Sequence, residues 1–182
     1  YVRILTDPGI HAILWRTVWI CAVTAIMSVL IAYVLAYNWA FGSARRQRLV
    51  ALAVLIPFWI SVLIRGFGWL AILRSRGLVN NALMSLDLID FPLMLVRNEF
   101  GVLIGMIHFM TPFAVFPLLS VMREIDPRLL QAASGLGARP LRRFVEIFLP
   151  LTATGIIGAF FIVFVFSLGF FITPTILGGG RV

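Results

Sequence analysis

Four long apolar stretches dominate the chain, at residues 17–44, 49–73, 100–122 and 147–180. Each is at least as long as the roughly 20 residues that a helix needs to cross a hydrocarbon core of about 30 Å. None alternates apolar and polar positions as a half-buried strand does. Because backbone groups in a bilayer must be paired within their own segment, the pattern predicts four transmembrane α-helices.

The composition agrees with a membrane protein. Of the 182 residues, 62% are hydrophobic and 12% are charged, and the mean hydropathy is +1.06. Soluble domains are about 25% charged, so a water-soluble globular domain is excluded. A formal charge of +8 could indicate nucleic-acid binding, but the apolar stretches leave no soluble basic face. The predicted fold class is therefore an all-α polytopic bundle, with the lipid bilayer and not nucleic acid as its partner.

The arginines between the stretches predict the orientation. Three arginines lie in the first connection and five in the third, whereas the second connection has three arginines and three acidic residues. Positively charged loops stay in the cytoplasm, so the first and third connections are expected inside. Both chain ends then face outward. Together with the missing initial methionine, this topology predicts a partial sequence with a further helix upstream.

The residue types exclude several kinds of chemistry. All fifteen basic residues are arginine, and without lysine there is no Walker A phosphate loop and no Schiff base. Cys21 is the sole cysteine, which excludes a disulfide framework and a thiolate metal site. His11 and His108 have no paired carboxylate nearby, and no serine lies in a Gly-x-Ser-x-Gly context. We therefore expect no metal, no cofactor and no enzymatic activity on this chain.

The third apolar stretch contains residues that affect helix packing. Gly101 and Gly105 have the GxxxG spacing, which lets another helix approach closely. Pro112 and Pro117 each remove a backbone hydrogen bond, so a bend is expected at each. Further prolines lie in the second and fourth stretches, at Pro57 and Pro150. Bent helices leave room for a central path, and simple packing is the alternative reading.

The third connection, residues 123–143, predicts a short helix on the inner surface. Asp126 and Pro127 are an N-cap and first-turn pair, and Gly135 and Gly137 are typical of a helix end. Pro140 then starts a second helix. An apolar stripe at helical spacing comprises Leu129, Leu130, Ala133 and Leu136. The small side chains in the middle of the helix favour docking into a protein groove over passive contact with lipid headgroups.

A recognisable motif runs from this connection into the fourth apolar stretch. Its order is Gln131, Ala132, Ala133, then Gly137, then Ile147, Leu149 and Pro150. This pattern resembles the EAA loop of ABC importer permeases, in which Glu-Ala-Ala, Gly and Ile-x-Leu-Pro recur at these spacings. Similar matches occur at 57–65, 100–105, 112–118 and 171–179, and together they resemble the first permease subunit of spermidine/putrescine importers. Gln131 departs from the usual glutamate, keeping its hydrogen-bonding reach but not its charge.

The resemblance implies a type I importer fold with about six helices per subunit. Residues 1–182 would form one partial transmembrane domain with its coupling loop at 123–150, in a bacterial inner membrane. The implied partners are an ATPase subunit that hydrolyses ATP, a second permease subunit in a heterodimer, and an extracytoplasmic binding protein. The transported solute would be small, a polyamine first. The implied ATPase-coupling residues are Gln131, Ala132, Ala133, Leu136, Gly137 and Arg139.

Five other side chains are candidates for a translocation path: Phe58, Trp59, Arg65, Phe160 and Phe164. Four of them are aromatic, and aromatic faces attract cations such as polyamines. For Arg65 we favour a side chain that reaches the outer interface, and for His108 a hydrogen-bonded packing role over a proton relay. For Glu146 we favour a local ion pair with Arg142 or Arg143.

The alternative function for the whole chain is an ion channel or secondary carrier, which has no use for an ATPase-docking helix.

Overall fold

A computed structural model describes residues 8–170 and 172–178, and every regular element in them is helical. The predicted placement of the chain ends, and the motif residues Phe171 and Gly179, lie outside this part. The helices are α1 (Pro8–Phe41), α2 (Ala44–Trp59), α3 (Val62–Leu73), α4 (Leu78–Ser85), α5 (Glu99–Glu124), α6 (Pro127–Gly135), α7 (Pro140–Arg143), α8 (Leu149–Leu151), α9 (Ala153–Leu168) and α10 (Ile172–Gly178). A π-helical segment, Phe144–Phe148, joins α7 to α8.

Two of these helices, α1 and α5, are each long and apolar enough to cross a membrane. Two bent pairs meet the same criterion when each is taken as one span. One pairs Ala44–Trp59 with Val62–Ser85, and the other pairs Pro140–Leu151 with Ala153–Leu168. The predicted all-α bundle with about four transmembrane segments is confirmed. The bounds of the first segment differ from the prediction, since α1 starts at Pro8 and ends at Phe41.

The second predicted segment is broken. The chain turns by 104° between Ala44–Trp59 and Val62–Ser85. Pro57 lies in the last turn of α2, where its missing N–H weakens the helix, and the Ile60 N–H bonds to the Pro57 oxygen at 3.2 Å. Ile60 has extended backbone angles, and the ψ of Ser61, 138°, is also outside the helical range. The bend predicted from Pro57 is therefore present, as a break that divides 49–73 into two helices.

The fourth predicted segment is also interrupted. The helical axis bends by 59° at Thr152, and α9 ends at Leu168 before the separate helix α10. By contrast, α5 continues through Pro112 and Pro117 without an interruption. The bend predicted from Pro150 is thus present, whereas the separate helix α10 was not predicted. The prolines of α5 do not break the helix that contains them.

The core lies between α1, α5 and α9. Ala25, Ala32 and Ala36 of α1 are fully buried, and their small side chains let α5 approach closely. Arg16 near the start of α1 forms an ion pair with Glu99 at the start of α5, at 2.6 Å, so these two helices run parallel. α9 runs in the opposite direction, because its first residues meet the far end of α1. This alternation agrees with the predicted topology.

Gly105 allows α10 to pack on α5. A Cβ atom at this position would lie 2.5 Å from a methyl carbon of Leu177 and 2.6 Å from one of Thr173. A Cβ at Gly101 would instead lie 2.4 Å from the backbone oxygen of Leu95, in the segment before α5. The predicted close helix approach is therefore confirmed for Gly105, whereas Gly101 serves a loop contact.

We expect Gly105→Val to destabilise the protein by about 1–3 kcal/mol, because the new side chain overpacks the α5–α10 contact. The matched control is Gly68→Val on α3, where an added Cβ meets nothing within 4 Å. Thermal unfolding in detergent measures the difference. Equal midpoints for the two variants would contradict the proposed tight packing at Gly105.

Candidate coupling loop and membrane path

The predicted short helix α6 has a defined cap at each end. At its start, the Asp126 carboxylate accepts a hydrogen bond from the Arg128 N–H at 2.9 Å, which confirms the predicted N-cap. At its end, Ala138 N–H bonds to the Ala133 oxygen and Gly137 N–H to the Ser134 oxygen, both at 3.0 Å. This is the Schellman pattern, and Gly137 occupies its left-handed position with φ +79°. The predicted glycine stop is confirmed.

Most predicted coupling residues face away from the protein. Leu136 is 89% exposed, and the other exposed members are Gln131, Ala132, Gly137 and Arg139. Ala133 is buried, at 8% exposure, and faces the rest of the chain. Its predicted place on the contact surface is therefore wrong, because the turn of α6 that carries Ala133 packs inward. A large exposed leucine beside a glycine turn remains as the apolar tip of this loop.

A side chain of α7, Arg143, holds α6. The Arg143 guanidinium donates to the backbone oxygen of Leu130, at 3.4 Å, and to the Ser134 hydroxyl. Arg142 instead forms an exposed ion pair with Glu146 at 2.8 Å, which confirms that predicted pair. The contact between Arg143 and α6 was not predicted, because nothing in the spacing of the sequence distinguishes Arg143 from Arg142.

An aromatic cluster anchors the π-helical segment to α1. Its members are Tyr33, Tyr37, Phe41, Phe144 and Phe148. The hydroxyl groups of Tyr33 and the fully buried Thr152 are hydrogen-bonded at 2.9 Å. Sequence reasoning missed this bond, which joins residues 119 positions apart.

The aromatic path candidates lie in separate places. Phe58 packs against Phe113, with ring centroids 5.4 Å apart, while Phe160 stacks on Phe164 at 5.9 Å. Trp59 is 83% exposed. Among the described residues, no ring contact joins the α2 candidates to those of α9. Their role in a path remains a prediction.

Arg65 does not extend to the outer interface. Its guanidinium carbon lies 3.6 Å from the ring centroid of the buried Phe109, in a cation–π contact. Phe109 is ten residues into the 26-residue helix α5, about 15 Å from its start and so an interior position of that span. Nε and Nη1 of Arg65 are buried with no acceptor among the described residues. The favoured interface position is therefore wrong, because the break after α2 redirects α3 toward α5.

His108 has a packing role, as predicted. Trp69 Nε1 donates to His108 Nδ1 at 3.2 Å, and the two rings are in edge contact. With Nδ1 as acceptor, the proton of the neutral ring lies on Nε2. Both side chains border an apolar cavity of about 350 Å³ between α1, α2 and α5. Among the described residues, no group of histidine, cysteine and acidic side chains has the arrangement of a metal site.

The outer segment between α3 and α5 is organised by Asn80. This residue is fully buried, and its amide nitrogen donates to the backbone oxygens of Arg74 and Leu93 at 3.2 and 3.0 Å. Its oxygen accepts from the Leu93 N–H at 2.8 Å. Arg97 N–H then bonds to the Leu177 oxygen, which ties the segment to α10. Sequence reasoning missed Asn80, because an asparagine near a glycine turn is common and does not by itself indicate a buried residue.

Curated relatives align along almost the whole chain. It is 32% identical over 178 residues to the spermidine/putrescine transport system permease protein PotB of Haemophilus influenzae, covering 98% of this chain and 62% of that protein. It is 31% identical over 181 residues to the PotB protein of Escherichia coli, covering 100% and 66%. The inner membrane ABC transporter permease protein YdcU of Escherichia coli is 28% identical over 189 residues, with coverage of 97% and 60%. A scan against protein-family models finds no match.

The fold and the loop together define a polytopic helical membrane protein with an exposed, capped helix at one end. The relatives make that class specific: the chain belongs to the permease proteins of ABC transport systems. It spans between three fifths and two thirds of the length of these relatives. The family indicated by the EAA-like loop is thereby confirmed.

Proposed function

We propose that this chain is the membrane-spanning subunit of an ATP-driven importer, with α6 as the helix that docks into a separate ATPase subunit. The observation that carries the proposal is the geometry of α6. It is capped at both ends, fastened to the protein on one side, and exposed at Leu136 and Gly137 on the other. Such a helix can transmit a push without unwinding. ATP hydrolysis belongs to the partner, and this chain supplies the moving helices.

The proposed solute is a polyamine such as spermidine or putrescine, delivered by an extracytoplasmic binding protein across the bacterial inner membrane. Support comes from the relatives at 31 and 32% identity, which are spermidine/putrescine permeases. A second permease subunit would complete the path, since one chain offers one docking helix and two ATPase subunits need two. The described helices place no acidic side chain between the ends of α1, α5 or α9. Aromatic faces, including Phe58, Trp59, Phe160 and Phe164, are therefore the cation-binding groups that this subunit offers.

A channel or secondary carrier is the second candidate. Neither requires a rigid, exposed helix with an apolar tip at the inner end, such as α6 with Leu136. The ATPase complex is thus the feature that separates the two functions.

The test is copurification of the full-length protein with its ATPase in detergent. We expect Leu136→Asp to reduce ATPase retention about tenfold, because a carboxylate replaces the apolar tip of the docking helix. The matched control is Leu86→Asp, a similarly exposed leucine in the outer segment, which should retain the ATPase. Uptake of radiolabelled spermidine into proteoliposomes then tests the solute. If the wild-type protein never bound an ATPase, the importer proposal would be refuted, and a channel or carrier would be the favoured function.

A further inference from the structure

A continuous set of contacts leads from α6 into the membrane helices, and it begins at Arg143. The Nη1 atom of Arg143 contacts the Leu130 oxygen and the Ser134 hydroxyl, one helical turn apart. Ser134 Oγ also donates to the Leu130 oxygen, at 2.8 Å. The guanidinium thus lies against the C-terminal half of α6, where the helix dipole favours a cation. Its Nε is buried with no acceptor among the described residues, so the bonds that join Arg143 to α6 are those of Nη1.

The next residue begins the π-helical segment. Phe144 and Phe148 pack their rings edge-on against Tyr33 of α1, with centroids 6.1 and 6.3 Å apart. Phe148 is 2% exposed, so its ring has no free space to move into. Single π-helical turns within α-helices are frequent at functional positions. Phe144, directly after Arg143, stacks on Phe148 with ring centroids 5.9 Å apart, so the buried Phe148 ring links it to α1.

The segment leads directly to the bend. Thr152, where the axis turns by 59°, is fully buried and bonds to the Tyr33 hydroxyl. Thr152 Oγ1 also lies 3.1 Å from the Phe148 oxygen and 3.0 Å from the Leu149 oxygen, so it can donate to either while accepting from Tyr33. The bend is thus attached to α1 on one side and to the π-helical segment on the other.

We propose that Arg143 is the positioning residue that makes α6, the π-helical segment and the bend at Thr152 move as one body. A push on α6 then reaches α9 and α1 through Arg143, Phe144 and Tyr33. Without Arg143, α6 would still be present and exposed, but its motion would no longer displace α9. The transport consequence rests on the proposed function, whereas the rigid attachment is a property of this chain alone.

The first measurement concerns the attachment. Spin labels are placed on the full-length protein at Leu136→Cys and Phe161→Cys, two exposed positions on α6 and α9, with the buried Cys21 left in place. Pulsed EPR in nanodiscs gives the distance distribution between them. We expect Arg143→Met to broaden it at least twofold and Arg143→Lys to stay near wild type. The matched control, Arg142→Met, removes an exposed surface pair and should leave the width unchanged.

The second measurement concerns coupling. In proteoliposomes with the ATPase, we expect Arg143→Met to retain the ATPase while spermidine uptake per ATP falls at least tenfold. Equal distance distributions for Arg143→Met and Arg142→Met would overturn the inference. A wild-type protein without a bound ATPase would instead refute the proposed function, and the distance measurement would still decide the role of Arg143. Should Arg143→Met fail to fold, Ser134→Ala removes one acceptor and is expected to broaden the distribution by a smaller factor.

Discussion

Gly137→Val is expected to reduce ATPase retention and solute uptake to background. Gly137 has φ +79°, a conformation that costs an L-residue about 1–2 kcal/mol and a β-branched residue more. The Schellman turn that ends α6 depends on this conformation. A valine would open the turn and change the direction of the chain from Gly137 into α7. Copurification with the ATPase and uptake in proteoliposomes measure the loss.

The matched control is Gly137→Asn. Nothing lies within 4 Å of a Cβ atom at this position, so space does not limit the substitution. Asparagine adopts the left-handed conformation more readily than other non-glycine residues. We therefore expect Asn to retain most of the coupling. Equal loss with Asn and Val would show that the ATPase requires a bare backbone at residue 137 and that the turn conformation is not the cause.

Asn80→Ala is expected to release the outer segment between α3 and α5. The substitution removes three hydrogen bonds and leaves the Leu93 N–H without its acceptor. At about 1 kcal/mol each, the loss is about 3 kcal/mol, or roughly 100-fold in the local opening equilibrium. Hydrogen exchange of peptides covering 88–97 measures the change as faster exchange of the Leu93 amide.

The control for this effect is the neighbouring Asn81→Ala. Asn81 is exposed, and its replacement makes the same change in composition, whereas the hydrogen bonds to Leu93 come from Asn80. Exchange in 88–97 is expected to stay at the wild-type rate. If Asn80→Ala also left the exchange unchanged, the segment would be held by other contacts, such as the bond from Arg97 to Leu177.

The local features of the coupling loop were predictable because capping depends on adjacent residues. Asp126 accepts from an N–H two positions away, and Gly137 closes a turn within six residues. Ala133 was misplaced on the contact surface, since which face of a short helix packs inward depends on what lies beside it. The same limit applies to Arg143 and Arg142, two adjacent arginines of which one binds α6 and the other Glu146.

Arg65 shows why an apolar run alone cannot locate a charged residue in the membrane. Counted along an unbroken helix, Arg65 lies near the outer end. The chain breaks at Ile60 and Ser61 and turns by 104°, so Arg65 lies in the first turn of a new helix and reaches Phe109 in the interior of α5. The direction of that turn depends on packing against α5 and α10, which the residues near Pro57 do not encode.

The amino-acid sequence by itself determined the fold class, the number of membrane segments, the caps of α6 and the family motif. These follow from hydrophobic length and from contacts between residues close in the chain. The tertiary structure decided where the spans break, which side of α6 is free, and how Tyr33 meets Thr152 and Asn80 meets Leu93. Those contacts join residues distant in the chain, and their energies depend on the packing of whole helices, so no local pattern specifies them.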